Sequence, residues 1–328
     1  MDLKDDFEFQ PLPPIPLPPQ PPLAPLPGHP IHPIGVSPLG PLQLLPGEWT
    51  GKGFNQIWRP FHGQPPGQDR FLELNLTEED LEFKAIPGNI PNRGLLQPDI
   101  NLVGVTYLQQ IKDANLKAGI HVEPGIWVTS PATSAPVDPA TVARMASIPH
   151  GTTLLAQGVF ETVNGPPVIP VASITPFRII LPPPAPQNPV LVPFPESTLA
   201  IPTPFRSPAA QLVGITQGMV DDPNSVLRVA IAGQTILRTT VLKVSTNLVV
   251  APVPSTGGGT TNTAFLAGEN PAKPNALAAQ VDATFWIETV RGVNGRIFQQ
   301  LQYSQRVLLN FNGLSWPHVS VATLIKAP

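Results

Sequence analysis

Proline placement constrains this chain more than any other feature. Of 47 prolines in 328 residues, 15 fall within residues 11–46 and 13 within 166–204. Proline fixes φ and lacks an N–H, so neither tract can run as a helix or a central strand. Both read as extended, polyproline-like segments. Linkers of such composition are normally polar, but here Pro alternates with Leu12, Ile15, Leu17, Leu23 and Leu26, then with Ile179, Ile180, Leu181, Val190, Leu191 and Val192. Side chains of that kind favour burial over water, so both tracts are expected to lie on a protein surface. At about 3.1 Å per residue the first could extend roughly 110 Å, enough to reach a neighbouring subunit.

Between and after these tracts the pattern is β. Phe71-Leu72-Glu73-Leu74-Asn75-Leu76-Thr77 alternates with period two, and Leu81-Glu82-Phe83 continues it. Further strands are expected at 102–111, 119–128, 141–148, 153–162, 225–231, 234–245, 282–291, 298–311 and 316–326. They are rich in Val, Ile, Thr and aromatics and bounded by Gly, Pro and Asn. No convincing amphipathic helix competes with them. The sequence therefore implies an all-β protein, an antiparallel barrel of about ten strands. Residues 1–44 are expected to form a Pro-rich N-terminal arm. Residues 45–328 form the barrel, interrupted by a large Pro-rich elaboration at about 163–280.

Charge and cysteine content exclude whole classes of function. Asp, Glu, Lys and Arg make up 12% of the chain and the formal net charge is −3, against a usual charged share of roughly 25%. No basic field exists to hold nucleic acid phosphates. No apolar run approaches the roughly 18 residues of a membrane span. The acidic start Met1-Asp2-Leu3-Lys4-Asp5-Asp6 does not resemble a secretory signal. Without Cys there are no disulfides, thiolate metal sites or thiol nucleophiles. These features lead us to expect a cytoplasmic protein whose sparse surface charge favours homo-oligomers joined through the Pro-rich arms.

The six histidines are the most informative titratable groups. His29 and His32 lie in the first Pro tract, while His62 and His150 fall in turns. His121 shares a strand face with Glu123, an arrangement that suits either a catalytic pair or a hydrogen-bonded strand pair. His318 follows Pro317 in a strand whose one face carries Trp316, His318, Ser320, Ala322 and Leu324. The small side chains beside the imidazole leave a hollow that a barrel would normally fill unless a ligand occupies it. The opposite face, with Val319, Val321 and Ile325, requires an apolar cover, and we expect an arm or a neighbouring subunit to supply it. Serine-nucleophile motifs and metal-binding His-Glu-x-x-His patterns are absent from the sequence.

Four blocks carry a family resemblance. Leu45-Pro46-Gly47-Glu48-Trp49-Thr50-Gly51-Lys52-Gly53 looks like the opening strand of lipocalin-like barrels. With Tyr107-Leu108-Gln109, with His121-Val122-Glu123-Pro124-Gly125-Ile126-Trp127, and with Tyr303 preceding Trp316-Pro317-His318, it resembles the nitrobindin family of haem-binding β-barrels. The match spans roughly 45–160 and 282–326. After Gly53 it departs from the family, which continues with Gly and Tyr-Pro. The resemblance implies haem b with His318 as the axial ligand of the iron. It also implies a pocket bordered by Trp49, Thr50, His121, Tyr303, Trp316 and Ser320, with Arg59, Lys52 or Arg144 meeting the propionates. The implied ligand is a small diatomic molecule or an oxidant, with activity like a peroxynitrite isomerase or a weak peroxidase. Two alternatives remain open: a metal-free carrier of an apolar small molecule, and a self-assembling structural barrel.

Overall fold

The computed structural model describes residues 39–95, 97–134, 137–179, 189–247, 258–270 and 273–328. The expected arm lies outside the described residues except at its end. Ten long strands make up the barrel: β1 (Gly47–Pro60), β2 (Arg70–Ala85), β3 (Ile100–Asp113), β4 (Gly119–Ser130), β5 (Thr141–Ile148), β6 (Thr152–Asn164), β7 (Thr235–Ser245), β8 (Leu277–Arg291), β9 (Ile297–Phe311) and β10 (Leu314–Lys326). Each pairs antiparallel with the next, and β1 pairs with β10 to close the ring. This is the all-β, ten-stranded antiparallel barrel the alternation implies. The turn between β9 and β10 is Asn312-Gly313, with φ of 51° and 73°, the left-handed pair that suits a tight hairpin.

Closure depends on close approach at the seam. A Cβ on Gly53 would stand 2.2 Å from the Val321 carbonyl oxygen of β10 and 2.7 Å from Thr77 Oγ1 of β2. Only glycine lets β1 lie this close to both neighbours.

One half of the barrel interior is solid. Trp49, Phe83, Tyr107, Trp127, Leu242, Phe285, Leu301 and Leu324 fill it. The described end of the first Pro tract closes that half: Leu42, in a short 3-10 turn at Gly40–Leu42, and Leu45 are buried, and Trp49 Nε1 donates to the Leu45 carbonyl at 2.8 Å.

The outer wall carries a second core. Phe54, Trp58, Leu72, Leu74, Val319 and Val321 face outward and are covered by Ile169, Ile174, Ile215, Val220 and Leu227 of the elaboration. Two expectations are thereby corrected. The cover over Val319 and Val321 comes from the chain's own insertion, not from an arm or a subunit, while Ile325 stays 40% exposed. Residues 225–231, expected as a strand, form helix α2 (Ser225–Ile231), preceded by α1 (Gln217–Asp221). The apolar run is short enough for either reading. Asp222-Pro223-Asn224 starts a helical turn, and only Leu227 is buried, so one apolar anchor suffices.

The insertion also caps exposed sheet edges. Leu72 N–H donates to the Phe205 carbonyl and Ser207 N–H to the Leu72 carbonyl, along the part of β2 before its pairing with β3 begins at Thr77. Arg206 holds the strap itself, donating to the carbonyls of Glu196, Thr198, Leu199 and Ile201 at 2.8–3.1 Å. Unpaired strand edges invite aggregation, and this device covers one. Leu227→Ala empties a fully buried site in the outer core, so we expect a loss of about 2–5 kcal/mol, measured by urea unfolding.

Candidate functional site

The other half of the interior is hollow. A cavity of about 400 Å³ opens there, within the usual range of ligand pockets. Its wall is mainly aliphatic, with Ile57, Ile111, Ile120, Ile148, Val281, Val307 and Leu309. Among its polar groups are Asn55, Gln109, His121, His150, Tyr303, Gln305, His318 and Ser320. The short helix α3 (Ala264–Ala267) brings Phe265 and Leu266 to its rim.

His318 sits at the closing seam. It lies opposite Ile57 of β1 and Val307 of β9. Its Nε2 is 2.9 Å from Asn55 Oδ1, an acceptor, so the proton is assigned to Nε2–H. Ser320 Oγ donates to the same Asn55 oxygen at 2.8 Å and lies 3.2 Å from Nε2. The lone pair then sits on Nδ1, for which no hydrogen bond is found among the described residues. Enclosure by the barrel wall, with smaller contributions from His121 and His150, lowers the imidazole pKa to about 3. At neutral pH the ring is uncharged, the form that can bind a metal.

Beneath the cavity lie two enclosed carboxyls in contrasting settings. Burial would push Glu123 up, but Arg144 beside it prevails and holds it down to about 2. Glu123 accepts from Arg144 Nη2 and from Tyr107 Oη, and His121 Nε2 lies 3.4 Å from it. Among the described residues Glu79 forms no ion pair. It accepts from Thr77 Oγ1 at 2.9 Å, Tyr303 Oη at 2.7 Å and Gln109 Nε2 at 3.2 Å. Burial outweighs those bonds and raises its pKa. At the rim, His121 and His150 meet edge to face at 5.4 Å.

The residues implied by the resemblance divide into two groups. His318, Ser320, Tyr303, His121 and Arg59 line the cavity. Arg59 is engaged at the rim, bonded to Glu73 at 2.7 Å and stacked over Phe71. The others do not border it. Trp49 plugs the solid half because its strand position falls below the hollow. Thr50 and Lys52 point away from the interior and are exposed, since they occupy the alternate positions of β1. Trp316 stacks on Phe311 and Phe194 at 4.7 and 5.1 Å, drawn into the outer core by the insertion. Arg144 is consumed by Glu123 and Tyr107, so it cannot serve at a mouth.

Sequence reasoning missed Asn55, Glu79 and Gln109. His150 was assigned only to a turn, though it reaches the cavity rim. Glu78-Glu79-Asp80 reads from the sequence as a solvated turn; the structure corrects this, because β2 runs through it and carries Glu79 into the interior, 3% exposed. Nothing local marked Asn55 as facing a hollow. Another missed carboxyl is Glu288, buried on the outer wall, whose Oε1 has no partner among the described residues and whose Oε2 accepts from Gln300 Nε2 at 2.6 Å.

No protein-family model matches this chain, and no curated protein matches it. Nine chains among solved structures do match. One is the crystal structure of Rv2717c from M. tuberculosis, 14% identical, with 89% of this chain and 99% of that chain covered and a TM-score of 0.36. Among the described residues no helix is long and apolar enough to cross a membrane, and no cluster of three or more His, Cys, Asp or Glu side chains could hold a metal ion unaided.

Burial raises Glu288 to about 7 from an ordinary 4.5. Folding therefore takes up a proton between those values, and stability falls as pH rises through that window. We expect Glu288→Gln to leave stability unchanged at pH 4.5 and to raise it by about 1–3 kcal/mol at pH 8, read from denaturant midpoints.

Proposed function

We propose that this barrel binds haem b, with His318 as the axial ligand, and acts on nitric oxide, peroxynitrite or peroxide. The observation carrying this reading is a neutral imidazole, held by Asn55 and Ser320, on the wall of a largely apolar cavity. The residues fit the group. A single uncharged His suffices because the macrocycle supplies the remaining ligands, and the hydrogen bond on the other ring nitrogen fixes the orientation of such a ligand. When bound, haem supplies an iron able to take small diatomic molecules and oxidants.

The chain's own residues do the rest. Asn55 and Ser320 hold the His318 ring. Ile57, Val307 and Leu309 exclude water from the cavity wall. Arg59 is the cation at the rim suited to a carboxylate, and Glu73 is its competitor for that contact. Purified protein supplied with haem is expected to show a Soret band that His318→Ala abolishes. A colourless protein that takes up no haem overturns the reading.

A second reading is favoured by one specific observation. The far ring nitrogen, Nε2, is already occupied by Asn55 and Ser320, so His318 can equally serve as a polar contact in a metal-free carrier of an apolar small molecule. Mass spectrometry of the purified protein separates the two: an apolar compound without haem supports the carrier.

A further inference from the structure

We propose that Tyr303, backed by Glu79, is a proton-donating dyad at the floor of the cavity, and that it recognises the acidic oxygen of an apolar weak acid. This rests on the cavity being a ligand site, as both readings above hold, and not on iron.

The dyad is built from geometry that the haem reading leaves unused. Tyr303 borders the cavity, and behind it Glu79 is 3% exposed with Oε2 2.7 Å from the phenol oxygen. Gln109 Nε2 donates to Tyr303 Oη at 3.0 Å. Among the described residues no cation forms an ion pair with Glu79, because the guanidinium inside the barrel, Arg144, is committed to Glu123. A carboxyl taken from water without a counter-charge keeps its proton. Two carboxyls driven in opposite directions by their surroundings mark an acid of this kind. Burial also lifts the Tyr303 phenol well above its ordinary range, so the phenol relays a proton and does not originate one.

With the proton on Glu79, Oε2–H donates to Tyr303 Oη, and the tyrosine's own hydrogen is free to point into the cavity. An anionic ligand oxygen accepts it. On transfer, the Oη–H bond breaks as ligand O–H forms, and Glu79 Oε2–H breaks as a new Oη–H forms. The ligand becomes neutral, and the carboxylate left behind is held by Thr77, Gln109 and Tyr303. Reversal on release restores the starting state. The aliphatic wall takes the apolar body of the acid.

Once rising pH ionises Glu79, its charge turns the tyrosine hydrogen back and repels the anion. The groups facing Glu79 are Thr77 of its own strand, Gln109 of β3, His121 of β4 and Tyr303 of β9. Its partner across β1 and that of Tyr303 across β10, Gly51 and Ala322, carry no charge, whereas Glu123 of β4 acts on Tyr303 and is itself paired with Arg144 of β5. His121 and His150 border the same cavity, so a substitution at Glu79 must separate its effect from theirs.

The test is a titration of the full chain with 2,4-dinitrophenol, ionised throughout from about pH 6 to about pH 9, above the ordinary carboxylate range of about 4. For the wild type we expect phenolate binding whose Kd rises tenfold per pH unit above a single apparent pKa. Glu79→Gln, which mimics the protonated carboxyl, should bind with a flat profile over that range. Tyr303→Phe should bind at least tenfold more weakly at the lowest pH. A flat wild-type profile, an unaltered profile in Glu79→Gln, or no phenolate binding overturns the proposal. Should Glu79→Gln fail to fold, unchanged affinity in Tyr303→Phe overturns it instead. Haem uptake without phenolate binding removes the dyad alone, whereas phenolate binding by a protein that refuses haem removes the iron reading alone.

Discussion

Closure of the sheet between β1 and β10 is the constraint from which the rest follows. The seam forms because Gly51 and Gly53 let the two backbones meet without a Cβ between them. It sets Asn55 opposite Ser320 and Ile57 opposite His318, residues more than 260 positions apart. A closed barrel of this size has room for side chains or for one small ligand. This one divides the space, packing one half with aromatic rings and leaving the other open.

Charge inside the barrel is arranged as sparingly as charge along the chain. Arg144 neutralises Glu123, and their partner Tyr107 completes the contact, so that pair remains ionised in an apolar interior. An ion pair of this kind is costly to break from one side because the remaining charge is stranded. Glu79 stands outside that pairing, and only hydrogen bonds satisfy it. His318 meets the same dielectric and responds in the opposite chemical direction, staying neutral. The cavity is therefore bordered by uncharged imidazole on one wall and has under its floor a carboxyl whose pKa burial raises.

The insertion explains why an apolar outer face does not leave the barrel sticky. Trp58, Val319 and Val321 would be a surface liability alone, yet the strap through Arg206 and helix α2 covers them from the same chain. Its described Pro-rich portions suit this role, since proline-bearing segments can lie against a wall without demanding ladder hydrogen bonds. Glu288 and its unsatisfied Oε1 lie on the same outer side, making the wall sensitive to pH.

Strand number and antiparallel order were legible in the sequence, because period-two alternation is local. So was His318 as a candidate, since Ser320 and Ala322 beside it withheld the bulk that fills a core. Tertiary structure alone decided which alternating residues face the hollow half: Trp49 and His318 share an inward phase, but one lies in packed aromatics and the other beside open space. It alone paired Arg144 with Glu123 and left Glu79 without a cation, and it folded 225–231 as a helix against the outer wall. Those outcomes depend on distances between residues remote in the chain, and local periodicity carries no information about such distances.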